Sequence, residues 1–396
     1  MSQKREAAIV GIHEYPLRVA PGVSALQIKA ASASKALEDA GLSWQDVDAV
    51  YDNGQNQNIG GLGISEYLGL KPRIIDVTSV GGTSYEFQAH HAATMIAAGK
   101  ASVAILTYGS TAHSNRTAIG TAGATGVGAP TPFNNMEDPY GMTGIANYAL
   151  VKARHMYDYG TTMEQFAEIS VTTRYHAMRN PEAVKAMTDL EFVGVNEITT
   201  KDVLDSRMIA WPLHLLECCM VSDGGGAVVI ASKEVVKNCK KKPVWIIGGA
   251  EATKYRENGG DITVSAGGQS GPASFEDAGV TPNEIDVLSA YDSFSITVML
   301  MIEDLGFCKK GEGGDYVTSG ILKFDQTGGP ALNTDGGGLS SNHPGERGIF
   351  CLLEATRQMR GESTSQVANP KLAVAVGNGG SLGSRHATSP TILAAD

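Results

Sequence analysis

The residues with the clearest chemical potential lie in one glycine-rich stretch, Asn333 to Gly348, which reads NTDGGGLSSNHPGERG. It holds five glycines, one proline and a single histidine, His343, and the apolar spacing after it is typical of a helix. Glycine lets a backbone approach a ligand closely, and a helix N-terminus carries unpaired N–H groups and partial positive charge. The stretch therefore predicts an imidazole beside a pocket where negative charge develops. A tight turn with a helix cap would have the same pattern.

Three further side chains that can exchange protons or form hydrogen bonds lie at a strand end or beside a glycine cluster, where a site is expected. Tyr291 stands at the end of a predicted strand, Asn378 lies directly before a Gly-Gly pair, and His386 follows that glycine cluster. Each has an ordinary structural alternative. Tyr291 could be a core aromatic, Asn378 could supply a turn conformation, and His386 could lie on the surface.

Composition narrows the class of protein. A chain of 396 residues exceeds the usual size of one core, so two domains or a duplicated fold is expected. The net charge of −11, without any long basic cluster, argues against nucleic-acid binding. Five cysteines without a CxxC pair suggest neither a disulfide framework nor a zinc site, and no metal site is expected. No apolar run approaches the length of a membrane span, which favours a soluble cytoplasmic protein.

Strands alternate with helices along the chain, which indicates an α/β fold with mixed sheets covered by helices. A helix is predicted from Ser24, as its N-cap, to Ala40, and another from about Thr83 to Ala98. Residues 111–145 form a long polar stretch that is functional by default, and 252–272 is a second candidate lid. The predicted strands are short and apolar, at 7–12, 47–51, 73–80, 103–108, 227–230 and 244–248.

The pattern of the first part returns later in the chain. Glu38-Asp39-Ala40-Gly41 is matched by Glu276-Asp277-Ala278-Gly279, and each is followed by an acidic-apolar strand. Ala93-Thr94 with Gly99 is matched by Ala355-Thr356 with Gly361. We predict a duplication with two pseudo-twofold related halves. The first half comprises 1–110 and 111–240, with an inserted loop subdomain at about 111–215, and the second is 241–396. In such a fold the helices opening near Gly82 and Pro344 can converge as an anion pocket.

Several motifs together resemble the thiolase superfamily, specifically sterol-carrier-protein-type thiolases and thiolase-like lipid-transfer proteins. They are Cys218-Cys219 before Ser222-Asp223-Gly224, the YDSF motif at Tyr291, Glu303 to Cys308, Asn333 to Gly337 with His343-Pro344-Gly345, and Gly379 to Gly383. The resemblance covers nearly the whole chain. It implies a duplicated thiolase fold in a five-layer αβαβα arrangement.

The chain departs from the thiolase pattern at the residues that react. The position of the nucleophilic cysteine falls on Gly82, and the second cysteine falls on Asn378. The motif residue that is Asn or His in thiolases is Tyr291, while His343 is retained. The resemblance therefore implies a site without an acyl-enzyme, built from His343, Tyr291, Asn378 and His386. Gly82, Thr83 and Gly380 would supply backbone for an oxyanion. Cys218 and Cys219 are expected to pack in the core.

Three activities fit these residues. The first is retro-aldol cleavage of a β-hydroxyacyl-CoA, since similar cysteine-less relatives that cleave steroid side chains carry a tyrosine in this motif. Those relatives have a second tyrosine where this chain has His343. The second is a Claisen or retro-Claisen reaction on a β-ketoacyl-CoA, such as an aromatic acylsuccinyl-CoA, with free CoA attacking directly. The third is a non-catalytic subunit that binds CoA esters.

The resemblance also implies ligands and partners. Coenzyme A would enter as the thioester substrate, with no permanently bound cofactor. Its phosphates and pantetheine would be held by Lys254 and Arg256 together with the loop Ser265-Ala266-Gly267. Thiolase-like chains normally dimerise, so a homodimer is expected. Related cysteine-poor chains often work with a small subunit that contains a zinc finger and an OB fold, and such a partner is expected here.

Overall fold

The computed structural model describes residues 5–54, 60–116, 143–255 and 260–396. The helices are α1 (Ala25–Ala40), α2 (Gly61–Tyr67), α3 (Ser84–Ala97), α4 (Gly144–Tyr159), α5 (Met163–Ala177), α6 (Pro181–Asp189), α7 (Thr200–Asp205), α8 (Lys233–Val236), α9 (Gly267–Ala278), α10 (Ser295–Asp304), α11 (Gly313–Thr318), α12 (Gly337–Ser340) and α13 (Gly348–Arg360). The strands are β1 (Ala7–Glu14), β2 (Ala49–Asp52), β3 (Ile74–Asp76), β4 (Val103–Ser110), β5 (Met208–Ala210), β6 (Leu213–His214), β7 (Gly224–Ser232), β8 (Val244–Gly249), β9 (Ala252–Lys254), β10 (Val287–Ala290), β11 (Ala331–Leu332), β12 (Leu372–Val376), β13 (Gly379–Gly380), β14 (His386–Thr388) and β15 (Pro390–Ala394).

A mixed ten-stranded sheet organises the molecule, in the order β11-β10-β12-β15-β8-β1-β7-β4-β2-β3. β2 is parallel to both of its neighbours, and so is β10, whereas the strands nearer the centre run antiparallel. β1 and β8 meet through two residue pairs, Ala8 with Trp245 and Ile9 with Val244. All residues of β4 and β7 are buried, which fits the short apolar runs predicted as covered strands.

The helix α1 begins and ends where its sequence predicts. The Ser24 hydroxyl accepts the N–H of Gln27 at 3.2 Å, and the Gln27 side chain accepts the N–H of Ser24 at 2.8 Å, which completes a capping box. Gly41 ends the helix with a φ of +76°, a conformation that glycine adopts without steric cost. α1 packs closely on β1, because a Cβ at Gly11 would lie 2.1 Å from the Ala36 carbonyl oxygen.

The first sequence echo corresponds to equivalent structure in two places. Glu276 to Gly279 ends α9 as Glu38 to Gly41 ends α1, again with a left-handed glycine. The Asp39 carboxylate accepts the N–H of Ile12 at 3.0 Å, and the Asp277 carboxylate accepts the N–H of Gly249 at 3.1 Å. In each case the acid at the helix end fixes the strand beneath it.

Helices α3 and α13 each contact strands on both sides of the junction between β1 and β8. α3 contacts β2, β4 and β7 as well as β8 and β15, and α13 contacts β10, β12 and β15 as well as β1 and β7. The two helices also contact each other, and the N–H of Gly348 donates to the Gly82 carbonyl oxygen at 3.0 Å. The chain segments that precede the two helices are therefore brought together.

Two predicted segments differ from the observed structure. The strand predicted at 73–80 is limited to β3, since the chain turns at Asp76, whose carboxylate accepts the N–H of Thr78 at 2.8 Å. The candidate lid at 252–272 contains β9 and the first half of α9, with Pro272 inside the helix. Much of the long stretch 111–145 and all of 256–259 lie outside the described residues. Among the helices that the structure describes, none has the length and apolar character to cross a bilayer.

Candidate active site

A cavity of about 520 Å³ opens beside the ends of α3 and α13. Its wall is formed by residues of six separate segments of the chain, namely Gly81, Gly82, Gly144, Ile145, Tyr148, Arg207, Ile209, Leu215, Cys218, Cys219, Val221, Tyr291, Ser293, Phe294, His343, Gly345, Glu346, Asn378, Gly380 and Ser381. Parallel pairing explains part of this convergence. β10 and β12 are adjacent and parallel, so Tyr291 and Asn378, which follow their carboxyl ends, emerge at the same edge of the sheet.

Tyr291 and His343 form a direct pair in the cavity wall. The Tyr291 hydroxyl lies 2.9 Å from His343 Nε2 and 3.2 Å from the Gly345 carbonyl oxygen. The two rings are nearly perpendicular, with centroids 5.4 Å apart. The His343 backbone N–H donates to the Ser222 hydroxyl at 3.1 Å, which holds the histidine loop against the strand region before β7. The structure thus brings these two predicted site residues into direct hydrogen-bond contact.

Burial keeps both members of this pair uncharged. Desolvation raises the pKa of Tyr291 well above that of an ordinary phenol. Desolvation, followed by the positive charge of Arg347, lowers the pKa of His343 to about 3. At neutral pH the pair is therefore a protonated phenol next to a neutral imidazole.

Gly82 is the position at which the thiolase resemblance would place a cysteine, and the ring of Tyr291 occupies that space. A Cβ at Gly82 would lie 2.4 Å from Tyr291 Cε2 and 2.7 Å from both Tyr291 Cζ and the Asn378 carbonyl oxygen. Real Cβ atoms do not come this close to other atoms. A side chain at position 82 and the observed place of the Tyr291 ring are therefore mutually exclusive.

Asn378 and His386 belong to one hydrogen-bonded chain. His386 Nδ1 accepts the N–H of Ala266 at 3.1 Å, so its hydrogen is on Nε2, which donates to Asn378 Oδ1 at 2.7 Å. Asn378 Nδ2 donates to the Tyr148 hydroxyl at 2.8 Å, and that hydroxyl donates to the Gly380 carbonyl oxygen at 3.0 Å. Asn378 lines the cavity while His386 lies behind it. This geometry gives His386 the task of fixing the Asn378 amide.

Of the three residues expected to form an oxyanion site, Gly82 and Gly380 lie in the cavity wall and Thr83 does not. Gly82 and Gly380 contribute backbone to the cavity wall. Thr83 is fully buried outside the wall, and its hydroxyl accepts the N–H of Ser389 at 3.1 Å. The first N–H of α13, that of Gly348, donates to the Gly82 carbonyl oxygen at 3.0 Å, so this N–H is already used within the protein. The residues directly before both helices line the cavity, Gly81 and Gly82 on the α3 side and Gly345 and Glu346 on the α13 side.

The residues expected to bind coenzyme A lie away from the described cavity wall. Lys254 donates to the carbonyl oxygens of Asp261 and Val264, so its ammonium group braces that loop. Ser265 is held through its N–H by the Asp304 carboxylate at 2.7 Å, while Ala266 and Gly267 begin α9. Arg256 is outside the described residues. These residues remain a prediction for ligand binding at the edge of the site.

Four residues that the sequence did not single out for chemistry also line the cavity, Arg207, Cys218, Cys219 and Glu346. Cys218 packs in the hydrophobic core as predicted and Cys219 is partly exposed, and both also line this cavity. Burial raises the pKa of the Cys218 thiol to about 12 and that of Cys219 well above its usual range, so both are protonated thiols. No motif or spacing marks Arg207, and Glu346 lies within the glycine-rich stretch around His343 without being distinguished there. No group of three or more potential metal ligands occurs among the described residues.

Comparison with known proteins gives a consistent result. Residues 248–393 match the family described as thiolase C-terminal domain-like. The chain is 31% identical to an acetyl-CoA acetyltransferase of Methanothermobacter thermautotrophicus over 96% of this chain and 97% of that protein. It is 31% identical to a steroid side-chain-cleaving aldolase of Thermomonospora curvata, over 91% and 92% respectively. The solved structure of an Ltp2-ChsH2(DUF35) aldolase superposes with a TM-score of 0.85 at 28% identity, covering 99% of this chain and 98% of that one.

Proposed function

Because the chain belongs to the thiolase superfamily and is a thiolase-like enzyme of CoA thioesters, we propose that it cleaves a β-hydroxyacyl-CoA by a retro-aldol reaction without an acyl-enzyme. In this reaction the β-hydroxyl loses its proton and the bond between Cα and Cβ breaks. The electron pair passes into the thioester as an enolate, and Cα then takes up a proton. The products are a ketone or aldehyde and a shorter acyl-CoA.

The observation that carries this proposal is the Tyr291 ring in the space of the missing nucleophile. An acyl-enzyme needs a nucleophilic side chain at the start of α3, and position 82 has no room for one. What replaces the thiol is a phenol, kept protonated by burial and hydrogen-bonded to His343 at 2.9 Å. A protonated acid beside a thioester enolate is suited to aldol chemistry.

The roles follow from the charge states. Backbone of Gly82 and Gly380 would stabilise the enolate oxygen, and Tyr291 would deliver the proton to Cα. Neutral His343 would hold the phenol hydroxyl and stabilise the phenolate that forms. Asn378, oriented by His386, would position the thioester by its amide.

Turnover of the purified chain tests this function. β-Hydroxyacyl-CoA esters would be incubated without free CoA, and the products read by mass spectrometry. We expect cleavage to a carbonyl compound and a shorter acyl-CoA, and Tyr291→Phe should lower kcat by about 10²–10⁴-fold through loss of the acid. Tyr67→Phe is the matched control, since Tyr67 is 50% exposed on α2 and is not part of the described cavity wall. Equal rates in the two variants would contradict the role of Tyr291.

A second function is favoured by the retained histidine. His343 lies in the cavity of a chain that is related to an acetyl-CoA acetyltransferase, so a Claisen-type reaction with free CoA is the alternative. Cleavage of a β-ketoacyl-CoA that depends on added CoA, and that His343→Ala abolishes, would identify it. Binding of CoA esters without any turnover would identify a non-catalytic subunit.

We further propose that the chain works with a small DUF35-type subunit. A solved relative is described as an Ltp2-ChsH2(DUF35) aldolase. In this chain, α4 and β5 border the cavity and expose the apolar side chains of Leu150, Tyr157 and Met208. An exposed apolar face is typical of a surface that another protein covers. The turnover assay should therefore be run with and without a co-expressed partner of this type.

The duplicated architecture is part of the same proposal. Outward from the junction of β1 and β8, the strand order β1-β7-β4-β2-β3 has the same succession of parallel and antiparallel neighbours as β8-β15-β12-β10-β11. With α3 and α13 between the two sides, a five-layer arrangement of two halves, 1–240 and 241–396, accounts for this order. The segment at about 111–215 would be an insertion into the first half.

A further inference from the structure

Glu346 is the one acidic side chain in the described part of the cavity wall. It is 5% exposed. Around it, beside the Arg207 side chain, the wall presents the Tyr291 phenol, two thiols and an imidazole, which are uncharged for the reasons given above. A carboxylate in these surroundings is unusual, because an acid buried next to apolar groups costs free energy unless it has polar partners.

Its position is fixed from several directions. Asn53 Nδ2 donates to Glu346 Oε2 at 2.6 Å. The Glu346 N–H donates to the Tyr108 hydroxyl at 3.0 Å, and that hydroxyl donates to the Pro344 carbonyl oxygen at 2.8 Å. The next residue, Arg347, is bound by Asp335 at 2.6 Å. The segment that carries Glu346 is therefore held on both sides.

The segment that carries Glu346 also contacts Tyr291, which is paired with His343. The Gly345 carbonyl oxygen, one residue before Glu346, lies 3.2 Å from the Tyr291 hydroxyl. Tyr291 begins as a protonated acid and His343 is a very weak base, so neither is suited to take the proton of a β-hydroxyl. A retro-aldol reaction needs an acceptor for that proton within the cavity.

We propose that Glu346 accepts the proton of the substrate β-hydroxyl and that Asn53 is the positioning residue for its carboxylate. This inference rests on the proposed retro-aldol function. The hydroxyl proton moves to Glu346 as the Cα–Cβ bond breaks, the electron pair forms the enolate, and Tyr291 protonates Cα. Glu346 then returns its proton to the Tyr291 phenolate, so the enzyme ends as it began and no other reagent is consumed.

Two variants of Glu346 test this role by chemical rescue. Glu346→Ala leaves room for a small carboxylate, whereas Glu346→Gln fills the same space without a base. We expect kcat to fall about 10²–10⁴-fold in both variants, and added formate to restore about tenfold or more of the rate in Glu346→Ala alone, with saturation. Asn53→Ala should give a smaller loss of kcat with KM little changed. Glu234→Ala, at an exposed residue of α8, is the control for formate itself.

The outcomes separate the two proposals. If Glu346→Gln keeps wild-type kcat while Tyr291→Phe loses it, the lyase stands and the role of Glu346 is overturned. The role is also overturned if Glu346→Ala loses activity, retains a wild-type thermal midpoint and gains nothing from formate. If both Glu346 variants unfold, Asn53→Ala with full kcat overturns it. If the wild-type chain, alone and with a partner, cleaves no β-hydroxyacyl-CoA, both proposals fail together.

Discussion

At the scale of single residues, the site depends on how volume and charge are distributed among a few buried side chains. Gly82 is required because Tyr291 fills the space that its Cβ would occupy. Tyr291 and His343 form an uncharged pair because desolvation disfavours the charged form of each side chain. These properties belong to contacts between residues that are far apart in the sequence.

The steric relation between Gly82 and Tyr291 predicts coupled variants. Gly82→Ala should destabilise the protein by about 1–3 kcal/mol and displace the phenol, because the new methyl group overlaps the ring. In the double variant Gly82→Ala/Tyr291→Ala the methyl group gains room, so the two effects on the free energy of unfolding should not add. Urea denaturation of the wild type, Gly82→Ala, Tyr291→Ala and the double variant measures this coupling. Additive effects would contradict the overlap.

His386 predicts a specific dependence of stability on pH. Burial, and then the charge of Lys254, lowers its pKa in the folded protein to about 3, against about 6.5 in the unfolded chain. The unfolded state therefore binds a proton between these values that the folded state does not, and stability falls as pH is lowered from about 6.5 towards 3. The slope from one such group is ~1.4 kcal/mol per pH unit.

Replacing His386 by Gln should remove this contribution. Between pH 6.5 and pH 4.5 the variant should lose less stability than the wild type, although its stability at pH 7.5 is lower because the bonds to Ala266 and Asn378 are weakened. Denaturation curves at a series of pH values provide the measurement. Parallel curves for the two proteins would show that His386 is protonated when folded.

At the scale of secondary-structure elements, the site is formed at the ends of parallel strands, and hydrogen bonds and ion pairs hold the loops there in place. Asn333 follows β11, and its side chain forms bonds of 2.7 and 2.8 Å to the backbone of Ala290 at the end of β10. Arg347, directly before α13, contacts Asp292 at 3.1 Å and Asp335 at 2.6 Å. The loops that carry Tyr291 and His343 are thereby joined in the core.

Removal of Arg347 should break the ion pairs that connect these two loops. Arg347→Met leaves the carboxylates of Asp292 and Asp335 buried without their cation, so we expect a loss of about 3–5 kcal/mol in the free energy of unfolding. Arg154→Met is the comparison, since the pair of Arg154 with Asp158 is on the surface and its loss should change stability little. Equal effects of the two substitutions on urea denaturation would be inconsistent with stabilising buried ion pairs at Arg347.

At the scale of the whole molecule, the described sheet ends in β3 on one side, and apolar side chains lie exposed near this edge. Ile75, Val77 and Met95 are each about 40% exposed, at 38, 42 and 40%. An uncovered strand edge with apolar neighbours is suited to pairing with another strand. We propose that the expected homodimer forms through this edge.

A charged residue at the edge should prevent this association. Ile75→Lys would bury an unpaired ammonium group in the interface, so it should shift the protein from dimer to monomer in sedimentation velocity at micromolar concentration. Val193→Lys is a matched control, because Val193 is also an exposed apolar residue, on a loop away from β3. A wild-type chain that sediments as a monomer would contradict the homodimer.

The sequence by itself determined the elements and the family. Periodicity and capping fixed the extent of α1, short apolar runs indicated the covered strands, and the motifs around Tyr291 and His343 indicated a thiolase-like enzyme without its cysteine. Such features are local, because a helix cap or a buried strand is decided by neighbouring residues. The segment 252–272 contains more regular structure than its glycines and Pro272 indicate, because packing of α9 against β8 and β15 stabilises the helix.

Only the tertiary structure decided what the site contains and how it is charged. The Tyr291 and His343 side chains are 52 residues apart in the chain, and those of Asn53 and Glu346 are 293 apart, yet each pair is hydrogen-bonded. Neither the space denied to a side chain at Gly82 nor the altered pKa of His343 can be seen in a motif. Both arise from atoms that distant segments bring together, and from the loss of water around them when those segments pack.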